Sequence, residues 1–283
     1  MKDTKLKEIL AKVDSFPAMP DAGTKLLVLL EEPDTAVSEI EEILRYDPGL
    51  TANVLKLANS AYFGIPSKIG SLKQAVILLG LERLIQLVVA SCVSAVMDKS
   101  VAGYDLPAGD LWRHSVAVSI AAEALVKDKK KHGTLDVFTP ALLHDVGKLV
   151  LGSFVKKELD AIKRLAAKGV PFVVAENMLL GTDHAQIGAH ILAHWNLPAE
   201  VISAVRWHHD PDSADANDLQ MDVVYLANLL CQTSETTIAA GGQAVELSPT
   251  VIDRLGVQMD QFETISDKVS HWVDELSDAL AFN

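Results

Sequence analysis

Leu142, Leu143, Val146, Leu149 and Val150 fall on one face at helical spacing, and Thr139-Pro140 stands just before them. Thr reads as an N-cap and Pro as the first helical position, so a largely buried helix is predicted to start at Pro140. The same 3.6-residue period recurs elsewhere. Phe262, Ile265, Val269, Trp272, Val273, Leu276 and Leu280 make one stripe over residues 261–280, expected to face the core, with a partner as the alternative. Ser38-Glu39-Ile40-Glu41 reads as a capping box opening a helix to Tyr46. Asp47-Pro48 caps and begins the next, and residues 59–64 end it in a loop with aromatics. Ser71 with Gln74 predicts a helix over 72–79, Gly80 breaks it, and 81–97 follows. Further helices are expected over 111–127, 171–180, 183–195, 198–209 and 222–235. The pattern predicts an all-α fold. Its N-terminal helical half would span 1–103 and a second half 104–283, with the polar, Gly- and Pro-containing stretch 98–110 as the boundary.

Composition agrees with a helical globular chain, 49% hydrophobic and 22% charged over 283 residues. The net charge of −13 disfavours binding to nucleic acid or anionic membrane, since both need a basic surface. The basic run at 129–131 reads as part of a solvated loop. Cys92 and Cys231 sit in apolar helical stretches and read as buried thiols in a reducing compartment. No signal peptide is read at the N-terminus, and the apolar run at 84–97 is too short for a membrane span. The expected location is the cytoplasm.

The chemistry lies in the histidines. His144 and Asp145 interrupt an apolar stripe, and a buried His-Asp pair needs compensation by hydrogen bonds or by a metal ion. Gly147 lets another backbone come close. His114, His184, His208 and His209 come from other helices, and ligands converging from facing helices are how bundles build metal sites. Imidazole with carboxylate suits a transition metal: Fe, Zn, Mn or Ni. His190 and His194 share a helix face but lack the Glu of a zinc-protease motif, so they read as polar-face residues. His132 and His271 read as solvent-facing.

His114, His144-Asp145 and the later histidines resemble the HD superfamily of metal-dependent phosphohydrolases. Phe16-Pro17-Ala18-Met19-Pro20, Asp47-Pro48-Gly49-Leu50-Thr51, Leu57-Ala58-Asn59-Ser60-Ala61-Tyr62-Phe63-Gly64 and Ala75-Val76-Ile77-Leu78-Leu79-Gly80 together resemble the HDOD domain, the HD-related output domain of bacterial signalling proteins. The resemblance runs from about Phe16 to His209. It implies an HD-like bundle behind the N-terminal half, and a loop at Asn59, Tyr62 and Phe63 that helps pack the two halves together.

By resemblance, one metal would use His114, His144, Asp145 and a later Asp, and a second would use Asp145 as a bridge with His184, His208 and His209. Two departures stand out. Asn228 occupies the place of the later Asp, and Asp210-Pro211-Asp212 stands where hydrolases of cyclic di-GMP carry Gly-Tyr-Pro. With Asp145 the sole anionic ligand, one ion or two weakly held ions is expected rather than a tight pair. The resemblance implies a regulatory module that binds a signalling protein or a nucleotide, with a homodimer among its assemblies. The alternative is a metal-dependent phosphohydrolase in which Asp145 and Lys148 act on a phosphodiester or nucleotide.

Overall fold

A computed structural model describes residues 2–19, 21–30, 36–45, 47–127, 136–216, 218–233, 247–258 and 260–280. Among them there are helices and turns but no strand, beyond one isolated bridge between Val101 and Leu106. The helices are α1 (Lys2–Asp14), α2 (Asp21–Leu30), α3 (Val37–Arg45), α4 (Pro48–Ala58), α5 (Leu72–Leu79), α6 (Leu81–Met97) and α7 (Asp110–Val126). They continue with α8 (Phe138–Leu143), α9 (Gly147–Ala166), α10 (Phe172–Leu180), α11 (His184–His194), α12 (Ala199–Trp207), α13 (Leu219–Thr233), α14 (Pro249–Leu255) and α15 (Asp260–Leu280). The all-α expectation holds.

Local signals set many of the helix ends. Asp47 Oδ1 accepts from the Leu50 N–H at 2.9 Å, with Pro48 in the first turn. Ser71 Oγ accepts from the Gln74 N–H, while Gln74 Oε1 accepts from the Gly70 N–H at 2.8 Å. Asp183 Oδ1 likewise accepts from the Gln186 N–H and opens α11. Each such cap contributes about 1 kcal/mol. The box expected at Ser38 is displaced: Glu39 Oε2 accepts from the Ala36 N–H, so α3 starts at Val37 and Ser38 lies inside it. Tyr46, the basic run at 129–131 and His132 lie outside the described residues.

Packing then does most of the work. Nearly all the buried apolar side chains among the described residues form one continuous cluster from Ile9 to Leu276. Helix α7 lies inside it, against α8, α13 and α15, and buries Leu111, Trp112, Val116, Val118 and Ile120. Burying each of those side chains contributes about 1.5–3 kcal/mol, more than helix propensity alone supplies. Helix α6 is also buried along most of its length, and no described helix is long and apolar enough to cross a membrane. Both cysteines are free and buried, and burial pushes each thiol up to about 12.

The loop after α4 reaches across the molecule as the resemblance implied. Tyr62 Oη donates to Glu123 Oε2 on α7 at 2.5 Å, and its ring meets Trp272 of α15 edge-on at 5.8 Å. Asn59 ties the loop shut: its side-chain amide donates to Ile69 O and accepts from the Ile69 N–H, both at 2.8 Å. At the other side α1 packs on α9 and α11, and Trp195 Nε1 donates to Pro17 O at 3.0 Å.

Candidate metal centre

The His-Asp pair does not lie within one helix, as its apolar stripe suggested. Helix α8 ends at Leu143 and α9 begins at Gly147. Thr139 is inside α8, its N–H accepted by Asp136 Oδ1, so it is not the cap. Between the helices the chain tightens into i→i−3 bonds: Val146 N–H to Leu143 O at 3.0 Å, Lys148 N–H to Asp145 O at 3.0 Å and Leu149 N–H to Val146 O at 3.1 Å. The turn places Asp145 just ahead of the α9 N-terminus, where the helix dipole favours a carboxylate. Gly147 then lies flat on α11. A Cβ there would stand 2.0 Å from His184 O and 2.6 Å from the Gly188 N, so the backbone approach expected at this glycine is present.

Asp145 is buried and gathers the histidines around its two oxygens. Oδ2 lies 2.6 Å from Lys148 Nζ, 3.3 Å from His144 Nε2 and 3.6 Å from His114 Nε2. Oδ1 lies 3.3 Å from His184 Nε2 and 3.9 Å from His208 Nε2. His209 Nε2 approaches His184 Nε2 to 2.8 Å. Asn228 Oδ1 is 3.1 Å from His114 Nε2 and accepts from Gln232 Nε2 at 3.1 Å. The seven residues expected at the site, and Lys148, therefore meet in one place, contributed by α7, the α8–α9 turn, α9, α11, the end of α12 and α13. They form two groups, His114–His144–Asp145 and His184–His208–His209, each close enough to hold a divalent cation. His190, His194 and His271 are exposed and away from it, as expected.

The rings are aimed from behind. His144 Nδ1 donates to Ala141 O and His208 Nδ1 to Val205 O, each at 2.7 Å and each one turn back along its own chain. Their Nε2 atoms are left as lone pairs, buried and without hydrogen-bond partners, and so is Asp145 Oδ1. Orphaned buried lone pairs gathered about the two oxygens of one carboxylate suit a cation. His184 Nδ1 donates to Glu176 Oε2 at 2.7 Å. Glu176 is fully buried on α10, and it also accepts from the His184 N–H and from Tyr104 Oη. Neither Glu176 nor Tyr104 was expected from sequence. The one signal was that Glu176 is the sole charge in an otherwise uncharged α10. Tyr104 reaches its place because Gly103 packs against Gly152: a Cβ on Gly103 would stand 2.1 Å from Gly152 O.

Electrostatics follow from the burial. Burial raises the cost of ionising Asp145, but His144 and Lys148 outweigh it and hold the carboxyl well below its usual range. Burial first, then the neighbouring His144, lowers His114 to about 3. Burial and the adjacent rings likewise hold His208 and His209 well below the usual histidine range. They are neutral at pH 7, the form that ligates. His184 goes the other way: burial pulls it down, but the Glu176 carboxylate outweighs that and raises it.

A family model described as the HDOD domain matches residues 16–211. The chain belongs to the HDOD family. The match runs from Phe16 to just beyond His208-His209, so it takes in the first-half motifs and most of the site. Among solved structures, this HDOD chain is similar to an HDOD domain protein of unknown function from Geobacter sulfurreducens, at 26% identity and a TM-score of 0.78, covering 98% of this chain and 96% of that one. It is similar to a protein from Shewanella amazonensis SB2B named as a candidate phosphohydrolase, at 27% identity and a TM-score of 0.72, covering 96% and 98%. A candidate signal transduction protein from Marinobacter aquaeolei VT8 has the same fold at 18% identity and a TM-score of 0.72, covering 98% and 66%. An uncharacterized curated protein of Treponema pallidum (strain Nichols) is 28% identical over 230 residues, 80% of this chain; the chain spans 44% of that relative's length.

Proposed function

We propose that this is a bacterial, cytoplasmic signal-transduction output module whose HD-type site holds a divalent transition metal, Fe, Zn, Mn or Ni. Metal binding sets the shape the module presents to a signalling protein or a nucleotide, and it proceeds without turnover. The observation that carries this reading is how Asp145 is used. It is the sole carboxylate among the proposed ligands, its Oδ2 is held by Lys148 at 2.6 Å, and the fourth position of the first group is the neutral amide of Asn228. His144, Asp145, His184, His208 and Asn228 are all buried, which leaves a phosphoester little room to reach them. The net charge of −13 argues against nucleic acid and anionic membrane as partners. A second copy of the chain is a further partner of this module.

The second reading is a metal-dependent phosphohydrolase. It is favoured by two histidine groups flanking one carboxylate with an ammonium beside it, and by the similarity to the Shewanella protein. A divalent ion bound there would supply Lewis acidity toward a phosphoryl oxygen. Asp145 would hold both groups in register, Lys148 would steady a phosphate, and the buried walls would exclude water. Elemental analysis of the purified chain, followed by assay on an aryl phosphodiester, tests both. Bound metal without turnover is expected. Metal-free protein whose melting temperature ignores added divalent ions would refute the metal site, and metal-dependent turnover would establish the second reading.

A further inference from the structure

The two histidine groups are not equivalent, and this bears on how many ions the centre takes. In proteins, a histidine ligating through one ring nitrogen almost always donates its other N–H to an acceptor, which fixes the tautomer and raises ligand basicity. His184 has Glu176 for this, and His208 has Val205 O. On the first side His144 has Ala141 O, but its Nε2 faces the Asp145 Oδ2 that Lys148 already holds. His114 has none: its Nδ1 is buried and without a partner. Its Nε2 instead faces Asn228 Oδ1, an acceptor that Gln232 also donates to. The proton of His114 therefore belongs on Nε2, the atom an ion would need. Moving it to Nδ1 would bury an unsatisfied donor, which is disfavoured. The Asp145 oxygen on this side, Oδ2, is already paired with the Lys148 ammonium, whereas Oδ1 on the other side accepts nothing.

Resting on the metal-binding reading above, we propose that the centre is mononuclear. One ion takes Asp145 Oδ1 with His184, His208 and His209. His209 Nε2 meets His184 Nε2 at 2.8 Å and carries the proton between them while no ion is bound, but His209 is partly exposed and its Nδ1 is not a buried orphan, so that proton can move to Nδ1 as that of His114 cannot. His114, Asn228 and Gln232 form a hydrogen-bonded chain that fills the other position without metal. Lys148 carries there the positive charge that a second ion would bring.

The test uses the whole chain, stripped with chelator and reloaded with Zn(II) or Co(II). Metal per chain is counted after gel filtration, affinity is measured by competition with a chromophoric chelator, and Co(II) absorption reports the ligand set. One ion per chain is expected. His209→Ala, at the partly exposed edge of the site, should weaken affinity at least about a hundredfold, the scale on which even supporting residues act. His114→Gln should stay within about threefold of the parent and leave the Co(II) spectrum unchanged. Asn228→Asp should admit a second ion. Two ions in the parent chain overturn the mononuclear assignment while leaving the metal-binding reading intact. One ion that His114→Gln abolishes in a folded protein overturns the choice of side. No ion at any loading overturns the metal-binding reading itself, and this proposal with it.

Discussion

Replacing Gly147 with Ala is expected to damage the centre from a position that carries no ligand. Its Cβ would sit 2.0 Å from His184 O, about 1.4 Å inside ordinary van der Waals contact, and 2.6 Å from the Gly188 N. Both are backbone atoms of α11, so no rotamer change can relieve the overlap. Helices α9 and α11 must part, carrying His184 away from Asp145. Ala for Gly in a helix normally gains about 0.5–1 kcal/mol. Overpacking costs about 1–3 kcal/mol, and an unyielding backbone neighbour puts this site at the upper end. The net expectation is a loss of about 2 kcal/mol, which corresponds to a fall of about 4–8 °C in melting temperature. Metal affinity should drop about 10- to 100-fold, as when a ligand's support is lost. Gly49→Ala is the control: its Cβ would meet only Asp47 Oδ1, at 3.5 Å. Calorimetry with and without Zn(II) reads both quantities. If Gly147→Ala melts within a degree of Gly49→Ala and binds Zn(II) equally well, the α9–α11 approach does not support the site.

Glu176→Gln keeps the size but removes the charge behind His184, so Zn(II) affinity should fall about 10- to 100-fold while urea unfolding changes little; unchanged affinity would mean that Glu176 does not tune the ligand. The metal-stripped chain should lose stability as pH falls from about 6.5 toward 3. Its unfolded histidines take up protons near 6.5, whereas folded His114 does so only at about 3 and His208 and His209 are depressed in the same direction, each contributing up to about 1.4 kcal/mol per pH unit. His184 runs oppositely, one group against three; urea midpoints at pH 7.5, 6.5 and 5.5 check the sign, and a flat profile contradicts it. Tyr62→Phe removes the bond to Glu123 and should cost about 1–2 kcal/mol in urea unfolding without altering metal affinity; a loss of metal would show that this loop is coupled to the site.

What could be read from the chain depended on how local its cause was. Asp47-Pro48, Ser71, Gly80 and Asp183 mark helix ends with chemistry contained in four or five residues, and α4, α5, α6 and α11 begin or end where those residues predict. The cluster around Asp145 was legible because histidines in apolar helices are rare enough to be suspicious together. The break between α8 and α9 was not. Residues 140–150 keep helical apolar spacing, and His144 and Val146 keep helical dihedrals, so only the switch from i→i−4 to i→i−3 bonds marks it. Glu176 and Tyr104 were invisible for another reason: each joins the site through tertiary contact, from an element that holds none of the histidines facing Asp145.

The rings around Asp145 differ in what keeps them aimed. His144 and His208 lean on the carbonyls of Ala141 and Val205, which belong to the main chain. No substitution at 141 or 205 removes a carbonyl, so those two orientations survive any sequence drift that leaves the helices standing. His184 leans on a side chain, and one codon change at 176 takes its support away. In a descendant of this chain the aim of the rings can therefore begin to fail on α10, with every histidine still in place. A scan for intact histidines would miss that change, whereas inspection of position 176 would not.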